Sequence, residues 1–165
     1  MDYPSRFPNG IEAGEIIATG NVSNAKAAFN TTGGFMIKLT NKTGAASVKG
    51  TIVDGGTSVN NSFTLCVKDI PDVFGVVYEA GIADGAECWV TISGIAEVLF
   101  VGSTTRGQFA RGFLTADGGS YIAGYALAEN VPTSPFSTDK HFYELGHILE
   151  SRTGAGLAKC VLHFN

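Results

Sequence analysis

The residues with the richest chemistry in this chain are three histidines and three cysteines, which could together hold a metal ion. His141 and His147 are six residues apart, so within one strand they share a face but stand about 20 Å apart. Cys160 and His163 are three residues apart, which places them on opposite faces of a strand. Structural zinc needs four converging nitrogen or sulfur ligands. The spacing along the chain therefore predicts no metal site and no cofactor.

Nucleophilic catalysis requires a serine or cysteine beside a base, and the sequence shows no such arrangement. The Gly-x-Ser-x-Gly turn of serine hydrolases is absent, and the polar loop at residues 102–107 supplies no base. Cys66, Cys88 and Cys160 each lie in an apolar run typical of a strand, where a thiol is buried and inert. We therefore predict no catalytic residues and a protein that is not an enzyme.

Paired glycines and neighbouring acids can bind phosphate or calcium in other proteins, but here they indicate turns. The glycine pairs at 33–34, 55–56 and 118–119 lack the lysine and the following helix of a phosphate-binding loop. Asp69 and Asp72 flank a proline, which is typical of a solvated turn. None of these positions predicts a ligand site.

Composition points to β-structure with many turns. Of 165 residues, 44% are hydrophobic, 16% are charged and 22 are glycine. Ordinary globular proteins carry about 25% charged residues and about 7% glycine. The formal net charge of −4 comes without a basic stripe, so the sequence does not predict a nucleic-acid partner.

Neither secretion nor membrane insertion is indicated by the sequence. The N-terminal residues Met-Asp-Tyr-Pro lack the basic start and apolar stretch of a signal peptide. No run approaches the roughly 18 apolar residues of a membrane-spanning helix. The odd number of widely spaced cysteines predicts free thiols rather than a disulfide framework, so a cytosolic or virus-assembly setting fits better than an extracellular one.

The chain from Phe35 onward alternates between apolar runs and turn residues. This pattern predicts an all-β fold, a small antiparallel barrel or sandwich of about nine or ten short strands. Residues 87–92 and 95–101 form either a hairpin across Ser93-Gly94 or one strand bent at a glycine bulge. The other predicted strands cover residues 35–39, 48–53, 62–67, 73–78, 121–127, 141–150 and 157–164, with a further strand beginning at 109.

The first part of the chain differs from this pattern. Prolines at 4 and 8 and small polar residues interrupt it, and only a weak helix is predicted at 24–29. We expect residues 1–33 to form either an extended arm that becomes ordered on a partner or a poorly fixed terminus, and residues 34–165 to form a single β-domain. The apolar residues of this arm have too little sequence around them for a core of their own. The candidate partner-binding residues are Tyr3, Phe7, Ile11, Ile16 and Ile17.

Four stretches of the β-region combine glycines with apolar residues. They are Leu39 to Gly50, Phe74 to Val98, His141 to Glu150 and Ala158 to Asn165. These stretches resemble the capsid decoration (cement) proteins of tailed bacteriophages, in which a cadence of G-V, A-G, D-G, W-V and I-S-G-x-A-x-V follows a small β-barrel; this chain has that cadence within residues 74–98. The resemblance extends over roughly residues 35–165 and does not include the arm.

The resemblance implies a non-enzymatic virion protein on the outer surface of an icosahedral head. Such a protein would bind the major capsid protein and stabilise contacts between neighbouring capsid subunits, often as a homotrimer. It would need neither a cofactor, a nucleic acid nor a membrane. The arm residues would then contact the shell, although packing back onto their own domain is equally compatible with the sequence.

Two other functions remain open at the level of sequence. The first is another phage structural module, such as a head fibre base or a tail or spike component. The second is a carbohydrate-binding β-domain that uses Trp89 or Tyr125 as a stacking platform. In the predicted strand, Trp89 has Cys88 and Val90 as its sequence neighbours. These apolar neighbours favour burial of Trp89 over sugar binding.

Overall fold

A computed structural model describes residues 26–119, 121–131 and 142–164. The chain folds as an all-β protein, as predicted. The candidate arm residues Tyr3, Phe7, Ile11, Ile16 and Ile17 lie outside the described residues, as do residues 132–141.

The described residues form ten strands and one short 3-10 helix at Thr115–Asp117. The strands are β1 (Ala27–Phe29), β2 (Phe35–Asn41), β3 (Ile52–Gly55), β4 (Ser62–Leu65), β5 (Gly75–Val77), β6 (Glu87–Phe100), β7 (Phe109–Arg111), β8 (Leu127–Glu129), β9 (Glu144–Ile148) and β10 (Gly156–Leu162).

Five of these strands close into a barrel in the order β2, β4, β3, β5 and β6, because β6 also pairs with β2. All pairings are antiparallel except that of β2 with β4, where Thr40 lies opposite Ser62 and Asn41 opposite Phe63. The predicted small antiparallel barrel is confirmed, and this one pair is parallel. Five side chains fill the barrel, each at most 1% exposed: Val53, Phe63, Val77, Cys88 and Val90.

Strand β6 is 14 residues long and belongs to both halves of the molecule. Of the two alternatives for this region, one strand bent at a glycine bulge is correct. The β2–β6 register shifts at the bend, with Phe35 opposite Ser93 but Met36 opposite Thr91. Gly94 has φ +74°, and a Cβ there would lie 2.6 Å from the carbonyl oxygen of Gly33, so the bend requires glycine.

Beyond the bend, β6 begins a second sheet in the order β6, β10, β9, β7 and β8. Its register with β10 runs from Gly94 opposite Leu162 to Phe100 opposite Gly156. A second core forms beneath this sheet around Val98, Phe100 and other buried side chains. Burial of each large apolar side chain stabilises the fold by about 1.5–3 kcal/mol.

Two predicted elements differ from those in the structure. Residues 121–127 were predicted as a strand, but the amide of Tyr125 donates to the carbonyl of Ile122 at 3.1 Å and Gly124 has φ +77°. Because of this turn, the strand begins only at β8. Glycine at a position with positive φ outweighs the apolar alternation that had suggested an earlier strand.

The weak helix predicted at 24–29 is also wrong over its described part, where β1 pairs with β2. The bulky Phe29 contacts Phe35 edge-to-face, with ring centroids 5.6 Å apart, an arrangement that suits cross-strand neighbours. Residues 26–33, which were assigned to the arm, therefore contact the barrel.

Strand β9 contains a bulge at Leu145 and Gly146. Ala110 of β7 lies opposite Gly146, but the next residue, Arg111, lies opposite Glu144. Gly146 has φ +148°, and a Cβ there would stand 1.9 Å from the carbonyl oxygen of Val161. The extra residue reverses the alternation of faces, so Glu144 and His147 share a face despite being three residues apart.

We predict that Gly146→Ala lowers the free energy of unfolding by about 3 kcal/mol or more, because the methyl group meets a backbone carbonyl in a conformation that L-residues avoid. The matched control is Gly154→Ala, where φ is +76° but no atom lies within 4 Å of the added Cβ. The control should lose only about 1 kcal/mol. Urea unfolding of both variants measures the difference, and equal losses would contradict the close contact.

Candidate functional site

The described residues contain one group of side chains with the composition of a metal site, on the second sheet. Glu144, His147 and His163 each place one ligand atom within 4.8 Å of the others. The Oε1 atom of Glu144 lies 3.6 Å from Nδ1 of His147 and 3.4 Å from Nε2 of His163. We call these three residues the histidine–carboxylate cluster.

Strand register brings the cluster together. His147 lies opposite Val161 in the β9–β10 pairing, so His163 is its diagonal neighbour across the two strands. The amide of His163 donates to the carbonyl of Leu145 at 3.0 Å, which extends the pairing past the end of β10. The bulge at Gly146 then places Glu144 on the same face.

The side chains of the cluster differ in solvent exposure. The Glu144 side chain is 4% exposed, whereas the side chain of His147 is 52% exposed. The rings of His147 and His163 meet edge-to-face with centroids 4.9 Å apart. A carboxylate at the base and two accessible imidazoles above it can either form ion pairs with protonated histidine or coordinate a cation.

Sequence analysis missed this cluster, and it predicted no metal ligand. The separations considered from the sequence were those between histidines of a single strand, whereas His147 and His163 belong to two different strands. The signal was present in the predicted final hairpin, because pairing strands 141–150 and 157–164 brings His147 close to His163. The contribution of Glu144 could not be found this way, because it depends on the bulge.

Next to the cluster, Arg111 forms a buried ion-pair network. Its guanidinium donates to both carboxylate oxygens of Asp117 at 2.6 and 2.7 Å and to Oε2 of Glu129 at 2.9 and 3.2 Å. Burial alone lowers the pKa of Arg111, but the hydrogen bonds to these two carboxylates outweigh it and raise the pKa. The charge of Arg111 is thereby compensated locally.

All three cysteines are buried and carry free thiols, as the sequence predicted. Burial raises the pKa of Cys66 to about 12 and that of Cys160 to about 12. Burial also raises the pKa of Cys88. Cys88 and Cys160 lie in strands, whereas Cys66 directly follows β4. Thiols with such pKa values hold almost no thiolate at neutral pH, which disfavours nucleophilic chemistry.

A surface cavity of about 630 Å³ lies near the 3-10 helix. Its lining is largely apolar and includes Leu114 and Phe142, and the Phe142 side chain is 63% exposed. At its edge, Asp69 accepts a hydrogen bond from the amide of Thr115 at 2.7 Å. Hydrogen bonds from the side chain and amide of Thr115 lower the pKa of Asp69, so this carboxylate is ionised and acts as a turn anchor.

The two aromatic residues considered for sugar binding lie close to other side chains. The ammonium group of Lys38 stands 5.1 Å from the centroid of the Trp89 ring, which covers a face that a sugar would use. Tyr125 lines a narrow cavity of about 140 Å³ together with Val77 and Leu65. One face of the Trp89 ring is therefore covered, and Tyr125 lies beside apolar side chains.

Comparison with protein-family models finds none that matches this chain, and comparison with curated proteins likewise finds no match. Over residues 26–119, 121–131 and 142–164, no helix has the length and apolar character needed to cross a membrane.

We predict that none of the three thiols reacts with a thiol-specific disulfide reagent in the folded protein near neutral pH, and that all three react after unfolding in guanidinium. We expect this low reactivity because burial raises the pKa of each thiol and so reduces the fraction present as thiolate. Raising the pH should not increase the rate until the fold opens or the pH nears 12. Rapid labelling of one thiol in the native state would contradict this assignment.

Proposed function

We propose that this protein is a non-enzymatic capsid decoration protein that binds the outer surface of a tailed-phage head and stabilises contacts between major capsid subunits. The observation that carries the proposal is the resemblance of residues 39–50 and 74–98 to that protein class, with the full cadence of glycines and apolar residues in 74–98. Its fold expectation, a small β-barrel, agrees with the architecture of the described residues.

The positions of the resembling stretches support the proposal. The stretch at 74–98 covers β5 and most of β6, the strand that joins the barrel to the second sheet. The stretch at 39–50 contains Asn41, whose buried side chain donates to the carbonyls of Ala45 and Ile82 at 2.9 Å each. Similarity that falls on strands and on a buried turn anchor reflects the framework of the domain rather than a single surface loop.

A role for the N-terminal segment fits the way the described chain begins. Lys26 directly precedes β1, which is an edge strand of the described sheet. The carbonyl of Lys26 accepts a hydrogen bond from the amide of Lys38 at 3.0 Å, and its ammonium pairs with Glu87. Phe29 on the same edge is 75% exposed. An arm that joins here can add apolar contact area beside an already apolar edge.

The physical logic of the proposed role is mass action at many equivalent sites. A protein that binds the assembled shell but not free capsid subunits stabilises assembly at every site, by an amount that grows with its free concentration relative to the dissociation constant. Ordering an arm on the shell costs conformational entropy, and its apolar residues must offset that cost. We propose Tyr3, Phe7, Ile11, Ile16 and Ile17 as the shell-contacting residues and a homotrimer as the bound form.

We predict saturable co-sedimentation of the purified protein with heads of its own virus that lack it, together with a higher temperature of head rupture. Saturation gives the copy number per head. Sedimentation velocity of the free protein tests the trimer separately. Heads that neither bind the protein nor gain heat resistance would overturn the proposed function.

We further predict that removal of residues 1–25 weakens head binding by at least about tenfold while the melting temperature of the domain stays within a few degrees, because the truncation leaves β1 and its contacts in place. Serine replacements at Phe7 and Ile11 should act in the same direction. Val48→Ser is the matched control, since Val48 is apolar and 52% exposed on the folded domain. Unchanged binding after truncation would exclude the arm.

A further inference from the structure

We propose that the histidine–carboxylate cluster is a binding site for one divalent transition-metal ion of the zinc type, with Glu144, His147 and His163 as ligands and a fourth position open to water. The proposal rests on the geometry of the second sheet and does not depend on head binding.

The two separations between Glu144 and the histidine nitrogens are close to those of a tetrahedral site. Bonds of about 2.0–2.1 Å to nitrogen and oxygen ligands place neighbouring ligand atoms about 3.3–3.5 Å apart in a tetrahedron. The Oε1 atom of Glu144 lies 3.4 Å from Nε2 of His163 and 3.6 Å from Nδ1 of His147. All three ligand atoms lie within 4.8 Å of one another.

The ligand types select the class of metal. Two neutral imidazoles and one carboxylate suit zinc and its transition-metal neighbours, whereas calcium and magnesium prefer sites made of oxygen ligands. Two histidines and one glutamate with a fourth open position form a known zinc ligand set. The partial exposure of His147 and His163, at 52% and 42%, leaves the approach to the open position accessible to an ion and to water.

The surrounding charges permit a cation at this place. Arg111 lies opposite Glu144 in the β7–β9 pairing. Its charge is compensated by Asp117 and Glu129 through ion pairs of 2.6 and 2.9 Å. The carboxylate of Glu144 therefore faces the imidazoles next to a network whose positive charge is already balanced.

The supporting backbone holds the ligands in place before any ion binds. The bulge at Gly146 fixes Glu144 on the ligand face, and the hydrogen bond from the amide of His163 to Leu145 fixes the end of β10. Preorganised ligands on paired strands need little rearrangement to bind an ion. Because an ion at this site joins β9 to the residue after β10, it stabilises the last hairpin of the sheet by binding only the folded state.

Calorimetric titration of the full chain with zinc chloride tests the site. We expect one ion per chain and, at about 100 times the dissociation constant, a rise in melting temperature of roughly 5–10 °C. Cobalt should give the visible absorption of a tetrahedral complex, and magnesium and calcium should bind at least about 100-fold more weakly.

His147→Gln and His163→Gln are the decisive variants, because both side chains are exposed enough to change without opening a core cavity. Each should weaken zinc binding by about 100-fold or more and abolish the cobalt spectrum while the metal-free melting temperature stays nearly constant. Glu150→Gln is the matched control, because Glu150 is an exposed carboxylate of the same hairpin that pairs with Lys159, and it should bind zinc as the parent does.

Two results would overturn the proposal. One is the absence of zinc binding by the folded full chain at millimolar metal. The other is zinc binding that survives both histidine substitutions, which would assign the ion to other groups such as the thiols. Glu144→Gln serves as a third variant, read together with its metal-free melting temperature because this side chain is buried.

Discussion

The bend of β6 at Gly94 is the constraint on which the rest of the structure depends. One strand has to pair with β2 and β5 inside the barrel and then with β10 in the second sheet. The bend is held by a polar clamp: the Asn30 side chain donates to the carbonyl of Ile95 at 2.9 Å and accepts from the amide of Gly34 at 2.7 Å. Asn30 is only 8% exposed, so these hydrogen bonds are shielded from competing water. Without this bend, the same strand could not serve both cores.

The sequence was sufficient to predict most of the strands, because period-two alternation and glycine turns are local signals. It could not predict the parallel pairing of β2 with β4, since that depends on β3 lying between β4 and β5. Nor could alternation decide between a hairpin and a bent strand at Ser93-Gly94, as both leave the same residues buried. At 121–127 a local pattern misled the prediction, because the positive φ of Gly124 fixed a turn within an apolar run.

The chemistry of the site shows the same division between local and non-local information. Inert thiols were predictable because the apolar neighbours of Cys88 and Cys160 are adjacent in sequence, and burial follows from them. His147 and His163 come together only through the register between two strands. The predicted hairpin gives that register only approximately. Placing Glu144 beside them needs a bulge as well. A bulge changes the face of every residue on one side of it, so a single glycine decides whether the carboxylate meets the imidazoles or points to the opposite face.

The two proposed activities use different halves of the described sheet, and this separation has a physical consequence. The arm joins at β1 on the barrel side, while the histidine–carboxylate cluster lies on β9 and β10 beyond the bend of β6. An ion at the cluster restrains β9 against β10, and β10 in turn pairs with Gly94–Phe100 of β6 over seven consecutive residues. Because the barrel and the second sheet share β6, an interaction that stabilises the second sheet also stabilises the barrel. Because β6 carries this connection through a fixed bend rather than a flexible linker, the two halves should unfold as one cooperative unit, and a metal that binds only the second sheet would raise the stability of the barrel by the same amount.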